Sequence, residues 1–153
     1  MSVKIREART EDAQALAEMR ALLWPEISAD EHWREVEPVL NGHPAGTLPS
    51  ATFVADHGDC RLSGFLEAGL RSHADGCDTR QPVGFVEGWF VREQFRGHGV
   101  GRALMKAAED WARGHGSLEM ASDALIDNEE SQRAYGALGF EVVDRCVHFK
   151  KRL

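Results

Sequence analysis

The 153-residue sequence predicts an α/β fold of the α+β mixed-sheet kind, a central β-sheet with helices on both faces. Three observations predict it. Strand-like segments with alternating or β-rich composition crowd the middle of the chain, helical periodicity flanks them on both sides, and a glycine-rich stretch joins a strand to the most regular helix. The length suits one domain, residues 1–153, with a proper core.

In chain order, Val3 and Ile5 alternate with polar neighbours as a first strand does. Thr10 followed by Glu11 and Asp12 reads as a helix N-cap with an acidic first turn, and Leu16, Arg20, Leu23 and Trp24 continue that helix until Pro25. Ser28, Asp30 and Glu31 start a second helix, whose Trp33, Val36 and Leu40 share a face before Asn41 and Gly42 end it. Residues 51–56, 61–71 and 83–91 are rich in Val, Phe, Leu and Ala between Gly, Asp and Pro, which predicts three successive antiparallel strands. Between the last two, residues 72–82 form a loop too polar to bury. Val100, Leu104, Ala107, Ala108 and Trp111 repeat at helical spacing up to Gly114 and Gly116. A strand at 118–122, a helix at 128–138 and a final strand at 142–149 complete the order βααβββαβαβ.

Acidic residues outnumber basic ones, 25 to 18, so the summed field disfavours nucleic acid and favours a cationic small molecule. The basic run Lys150, Lys151 and Arg152 reads as a solvated tail. Cys60, Cys77 and Cys146 are odd in number and have no metal-ligand spacing, so neither a disulfide framework nor a metal site is expected. Residues 1–7 lack an apolar signal core and no apolar run reaches membrane-spanning length, so the expected location is cytoplasmic, without a membrane partner.

The most informative segment runs from Val91 through Arg96, Gly97, His98, Gly99, Val100, Gly101 and Arg102 into the third helix. Glycines let backbone N–H groups turn inward, and a helix N-terminus adds unsatisfied donors and the positive end of its dipole, so phosphate binding is the natural use. The alternative is an ordinary flexible turn ahead of a helix. P-loop and dinucleotide fingerprints do not fit: after Gly97 and Gly99 the third position is Arg102, and after Gly99 and Gly101 it is Leu104.

Arg96, Gly99 and Gly101 do match the acetyl-coenzyme A signature R/Q-x-x-G-x-G/A, and here the sequence resembles the GNAT acetyltransferase superfamily. A second segment, Asn128 through Tyr135 to Gly139 and Phe140, resembles that superfamily's N-x6-Y-x3-G-F pattern. The resemblance implies a GNAT fold with splayed strands at an acetyl-coenzyme A site. It implies that the backbone from Arg96 to Arg102 holds the pyrophosphate, that Trp89, Phe90 and Val91 pair with the pantetheine arm as an added strand would, and that Asn128 belongs to the cofactor side. Tyr135, the chain's one tyrosine, is then the acid that protonates the leaving thiolate. Packing of a helix on the sheet is its other natural use.

Acetyl transfer to an amine needs a neutral nucleophile and a proton path, both served by carboxylates. Glu87 interrupts an apolar strand, where a carboxylate is costly unless it faces a cleft, a partner or solvent. Asp123 follows a strand end, where it either lines a cleft or caps a turn. Leu23-Trp24-Pro25, the strand around Glu87, the segment Met120 to Asp123 and the stretch from Arg145 to Lys151 resemble the aminoglycoside 6'-N-acetyltransferase branch. That resemblance implies that Trp24, Glu87 and Asp123 face a cationic aminoglycoside, and that the protein is a homodimer. Glu67 and Asp78 are weaker candidates for contact with the same substrate, a solvated acid being the default reading of either. A GNAT enzyme for another amine and a non-catalytic acyl-coenzyme A binding module remain the alternative functions.

Overall fold

The structure, a computed structural model, describes residues 2–59 and 61–153, so Met1 and Cys60 lie outside the described residues. Five strands form one sheet in the order β1-β2-β3-β4-β5: Lys4–Glu7, Ser50–Asp56, Leu62–Arg71, Val83–Val91 and Met120–Ala121. Neighbours are antiparallel from β1 to β4, and β5 runs parallel to β4, which makes the sheet mixed. Helices α1 (Ala13–Leu23) and α2 (Ala29–Leu40) cover one face, where Leu16, Met19 and Val36 meet Val54, Phe65 and Phe90. Helix α3 (Val100–Gly114) covers the other, where Val100, Leu104, Met105 and Ala108 meet Phe53, Leu66 and Val86. Helix α4 (Glu129–Ala137) packs on that second face through Tyr135.

Strand β4 changes phase half-way along. Glu67 pairs with Gly88 but Ala68 pairs with Val86, so Glu87 is the extra residue of a β-bulge. Side chains on a regular strand alternate with period two. Across the bulge that alternation slips, so Val86, Trp89 and Val91 all contact the α3 side while Phe90 is buried against Phe65 on the α1 side. Glu87 is thereby turned out of the core.

Ser28 caps α2 as expected, accepting the Glu31 N–H at 3.2 Å. Thr10 is not the cap of α1: it opens a 3-10 turn and its hydroxyl meets Asn41, while α1 proper begins at Ala13. The fully buried Asp12 organises that entry, taking the Arg9 N–H at 2.7 Å and two bonds from Arg6, which also reaches Asp56. Burial works against the Asp12 carboxylate, but the Arg6 and Arg9 hydrogen bonds hold its pKa below the ordinary value.

Four further expectations are corrected. In α2 the buried positions are His32 and Val36, whereas Trp33 lies 40 % exposed. The loop at 72–82 is not wholly surface, because Ala74 is buried with Val83 and Phe85. The strand expected at 118–122 shortens to Met120–Ala121, and Leu118 is exposed. Residues 142–149 form no strand: they have no ladder partner among the described residues, and Val143, Val147 and Phe149 face solvent. A strand needs a neighbour to satisfy its backbone, and alternation alone supplies none.

Candidate active site

Strands β4 and β5 touch only at Gly84↔Met120 and Phe85↔Ala121. The next link is a side chain: the Ser122 hydroxyl donates to the Val86 carbonyl at 3.0 Å. Beyond it the strands part, and Glu87 to Val91 has no strand on its β5 side among the described residues. This splay leaves a slot along the edge of β4. Tyr135 enters its apex from α4, its phenol 2.7 Å from Ser122 and its ring 5.1 Å from that of Trp89. Burial raises the Tyr135 pKa, the Ser122 hydrogen bond opposes the rise, and the Asp123 charge adds to it.

At the far end of the slot, the turn before α3 brings its backbone into the open. Gly97 and Gly99 hold φ of 79° and 82°, conformations that L side chains rarely adopt, and a Cβ on either would meet nothing within 4 Å. No side chain caps α3, so its first N–H groups keep their hydrogen-bonding capacity. Trp89 ties strand to helix by donating its indole N–H to the Gly101 carbonyl at 3.2 Å. Arg96 folds back to the Val91 carbonyl at 2.8 Å, His98 bonds the Arg96 carbonyl, Arg102 is exposed, and Val100 is buried beneath the turn. An exposed cradle of N–H groups beside two guanidinium groups fits a pyrophosphate.

The opposite wall is acidic, and two of its carboxylates, Glu87 and Glu67, are already engaged. Glu87 lies in a two-pronged pair with Arg71, at 3.0 and 2.8 Å, and the Arg71 guanidinium stacks 3.5 Å from the centre of the Phe85 ring. Asp123 is exposed and near enough for its charge to act on both Arg71 and Tyr135. Glu67 is half-buried and held by Arg20 at 2.5 Å; burial pushes its pKa up while Arg20 opposes the rise. Trp24 lies across Gly88, where a Cβ would come within 2.6 Å of its ring, and the free Glu67 oxygen sits 3.3 Å from the same point. Arg20 also stacks on Trp24, so Trp24, Glu67 and Glu87 form one wall around Gly88. Two predicted residues stand apart. Asp78 is tied up by Arg80 in the 72–82 loop, and Asn128 is spent as the α4 cap, accepting the Ser131 N–H at 3.1 Å. The side chain of Phe90 turns away from the slot, leaving only its backbone there.

Comparison with known proteins decides what this arrangement belongs to. The model of the acetyltransferase (GNAT) family matches residues 13–140. The chain belongs to the GNAT acetyltransferase family. A relative from Klebsiella aerogenes, named aminoglycoside N(6')-acetyltransferase type 1, is 40 % identical over 97 % of this chain and 96 % of its own length. One of the same name from Stenotrophomonas maltophilia is 39 % identical over 97 % and 93 %. Among solved structures, AAC(6')-Iy in complex with the bisubstrate analogue CoA-S-monomethyl-acetylneamine superposes with a TM-score of 0.86 at 34 % identity, covering all of both chains. AAC(6')-Ih from Acinetobacter baumannii gives 0.86 at 30 % identity over 99 % of each.

In this GNAT acetyltransferase the expected splay is present. Three residues that sequence reasoning passed over complete the cleft: Ser122 at its apex, and Arg71 and Arg20 on its acidic wall. Arg71 stands opposite Val83 in the β3–β4 register and reaches Glu87 by lying over the Phe85 ring, a contact for which the sequence carries no local signal. Among the described residues no group of carboxylates, histidines and cysteines is placed to hold a metal, and no helix is long and apolar enough to cross a membrane.

Proposed function

We propose that this protein, acting as a single GNAT domain, transfers acetyl from acetyl-coenzyme A to the 6'-amino group of an aminoglycoside, by direct attack in a ternary complex, and so confers resistance. The near end-to-end similarity to aminoglycoside N(6')-acetyltransferases carries this conclusion, and the carboxylate-lined wall is the chemistry it requires. The turn from Arg96 to Arg102 holds the pyrophosphate, and the free edge of Trp89 to Val91 takes the pantetheine arm as an added strand. Trp24 and Glu67 seat the sugar, while Glu87 or Asp123, through a water, accepts the proton of the attacking amine. Tyr135 protonates the departing thiolate. Asn128 serves the cofactor side indirectly, by capping the helix that carries Tyr135. Fixing both reactants in one slot supplies much of the acceleration, with acid and base contributing on the order of 10²-fold each. The place of action is the cytoplasm.

The test is thiol release from acetyl-coenzyme A with kanamycin or tobramycin, with the acetyl group located by NMR. Fast release with 6'-N-acetylation is expected. Binding of acetyl-coenzyme A without release on any 6'-amino aminoglycoside would turn the assignment to another amine.

We infer further that the protein works as a homodimer. Residues 141–153 leave the body past Gly76, against which Val143 rests, and carry Val147 and Phe149 at 73 % and 92 % exposure. The outer edge of β5 has no partner strand among the described residues. Exposed apolar side chains on a segment without a ladder partner, and an open strand edge, are both pairing surfaces, and a second copy offers the same two parts in return. Light scattering is expected to give twice the chain mass, and removal of residues 142–153 to give monomer.

A further inference from the structure

We propose that Ser122 is a positioning residue for acetyl transfer: its hydroxyl fixes the Tyr135 phenol at the apex of the splay, and turns to the phenolate when the phenol gives up its proton. This role rests on Tyr135 being the acid. Two distances set the geometry, Ser122 Oγ lying 3.0 Å from the Val86 carbonyl and 2.7 Å from the Tyr135 oxygen. A carbonyl only accepts, and a serine hydroxyl carries one proton. With the Ser122 proton on Val86, the second bond forms only if the phenol donates to Ser122. At rest the phenolic proton is thus held on Ser122 at the apex where β4 and β5 part, from which the O–H turns to the sulfur for transfer, and the ring is clamped between Trp89 and Phe140, each 5.1 Å away centre to centre.

The consequence appears during the reaction. The Tyr135 O–H bond breaks as its proton goes to the thiolate sulfur, forming the free thiol and leaving a phenolate. That anion forms in a buried place and within reach of the Asp123 charge, both of which disfavour it. Rotation about the Ser122 side chain moves its one proton from the Val86 carbonyl to the phenolate, without loss of any atom from the site. A proton from solvent then restores the phenol, and Ser122 returns to Val86. The amine proton leaves separately through the carboxylate wall, so the exchange balances. Ser122 stands where the next β4–β5 rung would be, and a main-chain N–H there could not swing between two acceptors.

The experiment compares kcat and both KM values for wild type, Ser122→Ala, Ser122→Thr, Tyr135→Phe and the double variant Ser122→Ala/Tyr135→Phe, with acetyl-coenzyme A affinity by calorimetry as the folding control. Ser122→Ala is expected to lower kcat by about tenfold, the loss of one hydrogen bond to a charged group, with both KM values and cofactor affinity unchanged. Ser122→Thr restores the rate, and the double variant is no slower than Tyr135→Phe alone. If Tyr135→Phe is slow while Ser122→Ala keeps full kcat, or if the two losses multiply, the Ser122 role is wrong and Tyr135 stands. If Tyr135→Phe keeps full kcat, the acid assignment itself fails and takes this role with it. Should Ser122→Ala lose cofactor binding, Ser122→Thr decides alone: full rate supports the role, and a tenfold loss with normal binding overturns it.

Discussion

Glu87 and Glu67 do not wait bare for a cation, since Arg71 and Arg20 hold them in the free protein. In the proposed function, an ammonium group seated at Glu87 takes the place of the Arg71 guanidinium. The Arg71–Glu87 pair is about half exposed on both sides, and such pairs hold weakly. Arg71→Ala is expected to lower KM for a multiply charged amine by roughly threefold while leaving KM for acetyl-coenzyme A unchanged, as steady-state kinetics would show. A rise in KM would mean that Arg71 orders Glu87 for binding. At this scale the glycines, Tyr135 and Glu87 were legible, because each breaks a local pattern: a carboxylate in an apolar strand, a lone tyrosine in a motif, glycines where a helix begins. Arg71, Arg20 and Ser122 break none, and their meaning comes from partners many residues away.

The elements were legible where one segment buries its own face and illegible where a neighbour decides. The α3 pattern found Val100, Leu104 and Ala108, which are buried, but left out Met105 and Ala112 and included Ala107 and Trp111, which are half-buried. Leu104, fully buried at the centre of that face, is expected to cost about 2–5 kcal/mol on Leu104→Ala, measurable by urea unfolding. Thr10 was read as the α1 cap because the residue type fits, yet Asp12 takes that work through Arg6, a strand residue. Asp12→Asn leaves a buried guanidinium poorly paired and is expected to destabilise by about 3 kcal/mol. The pH dependence follows from the same network. Asp12 and Asp56 both titrate below their ordinary value, so the stability they confer is fully present above about pH 4 and is lost as pH falls through the lowered folded-state values. Thermal unfolding between pH 6 and pH 3 should show that loss in wild type and a shallower one in Asp12→Asn.

For the whole molecule, the formal net charge of −7 acts on the two substrates with opposite sign. A polycationic amine is drawn in, while the anionic thioester depends on the local Arg96 and Arg102 beside the glycine turn. Raising ionic strength from about 0.05 to 0.5 M shortens the screening length to a few ångström and is expected to raise KM for the amine several-fold, with little change for acetyl-coenzyme A. Equal changes in both would rule out steering by the summed charge. The three antiparallel strands and the presence of helices on both faces could be read from the chain because they rest on burial. The strand expected at 142–149 is absent, because those residues have no ladder partner among the described residues and alternation alone supplies none.

The bulge at Glu87 gives β4 a spare residue. Swapping Glu87 for another residue changes one side chain, and deleting it restores simple alternation with Val86, Trp89 and Val91 still on the α3 face and Phe90 still on the α1 face. The strand's two packed faces therefore do not depend on the letter at position 87, nor on its presence. Descendants of this sequence can alter or lose that position while both cores keep their side chains, and what they forfeit is the carboxylate that meets Arg71.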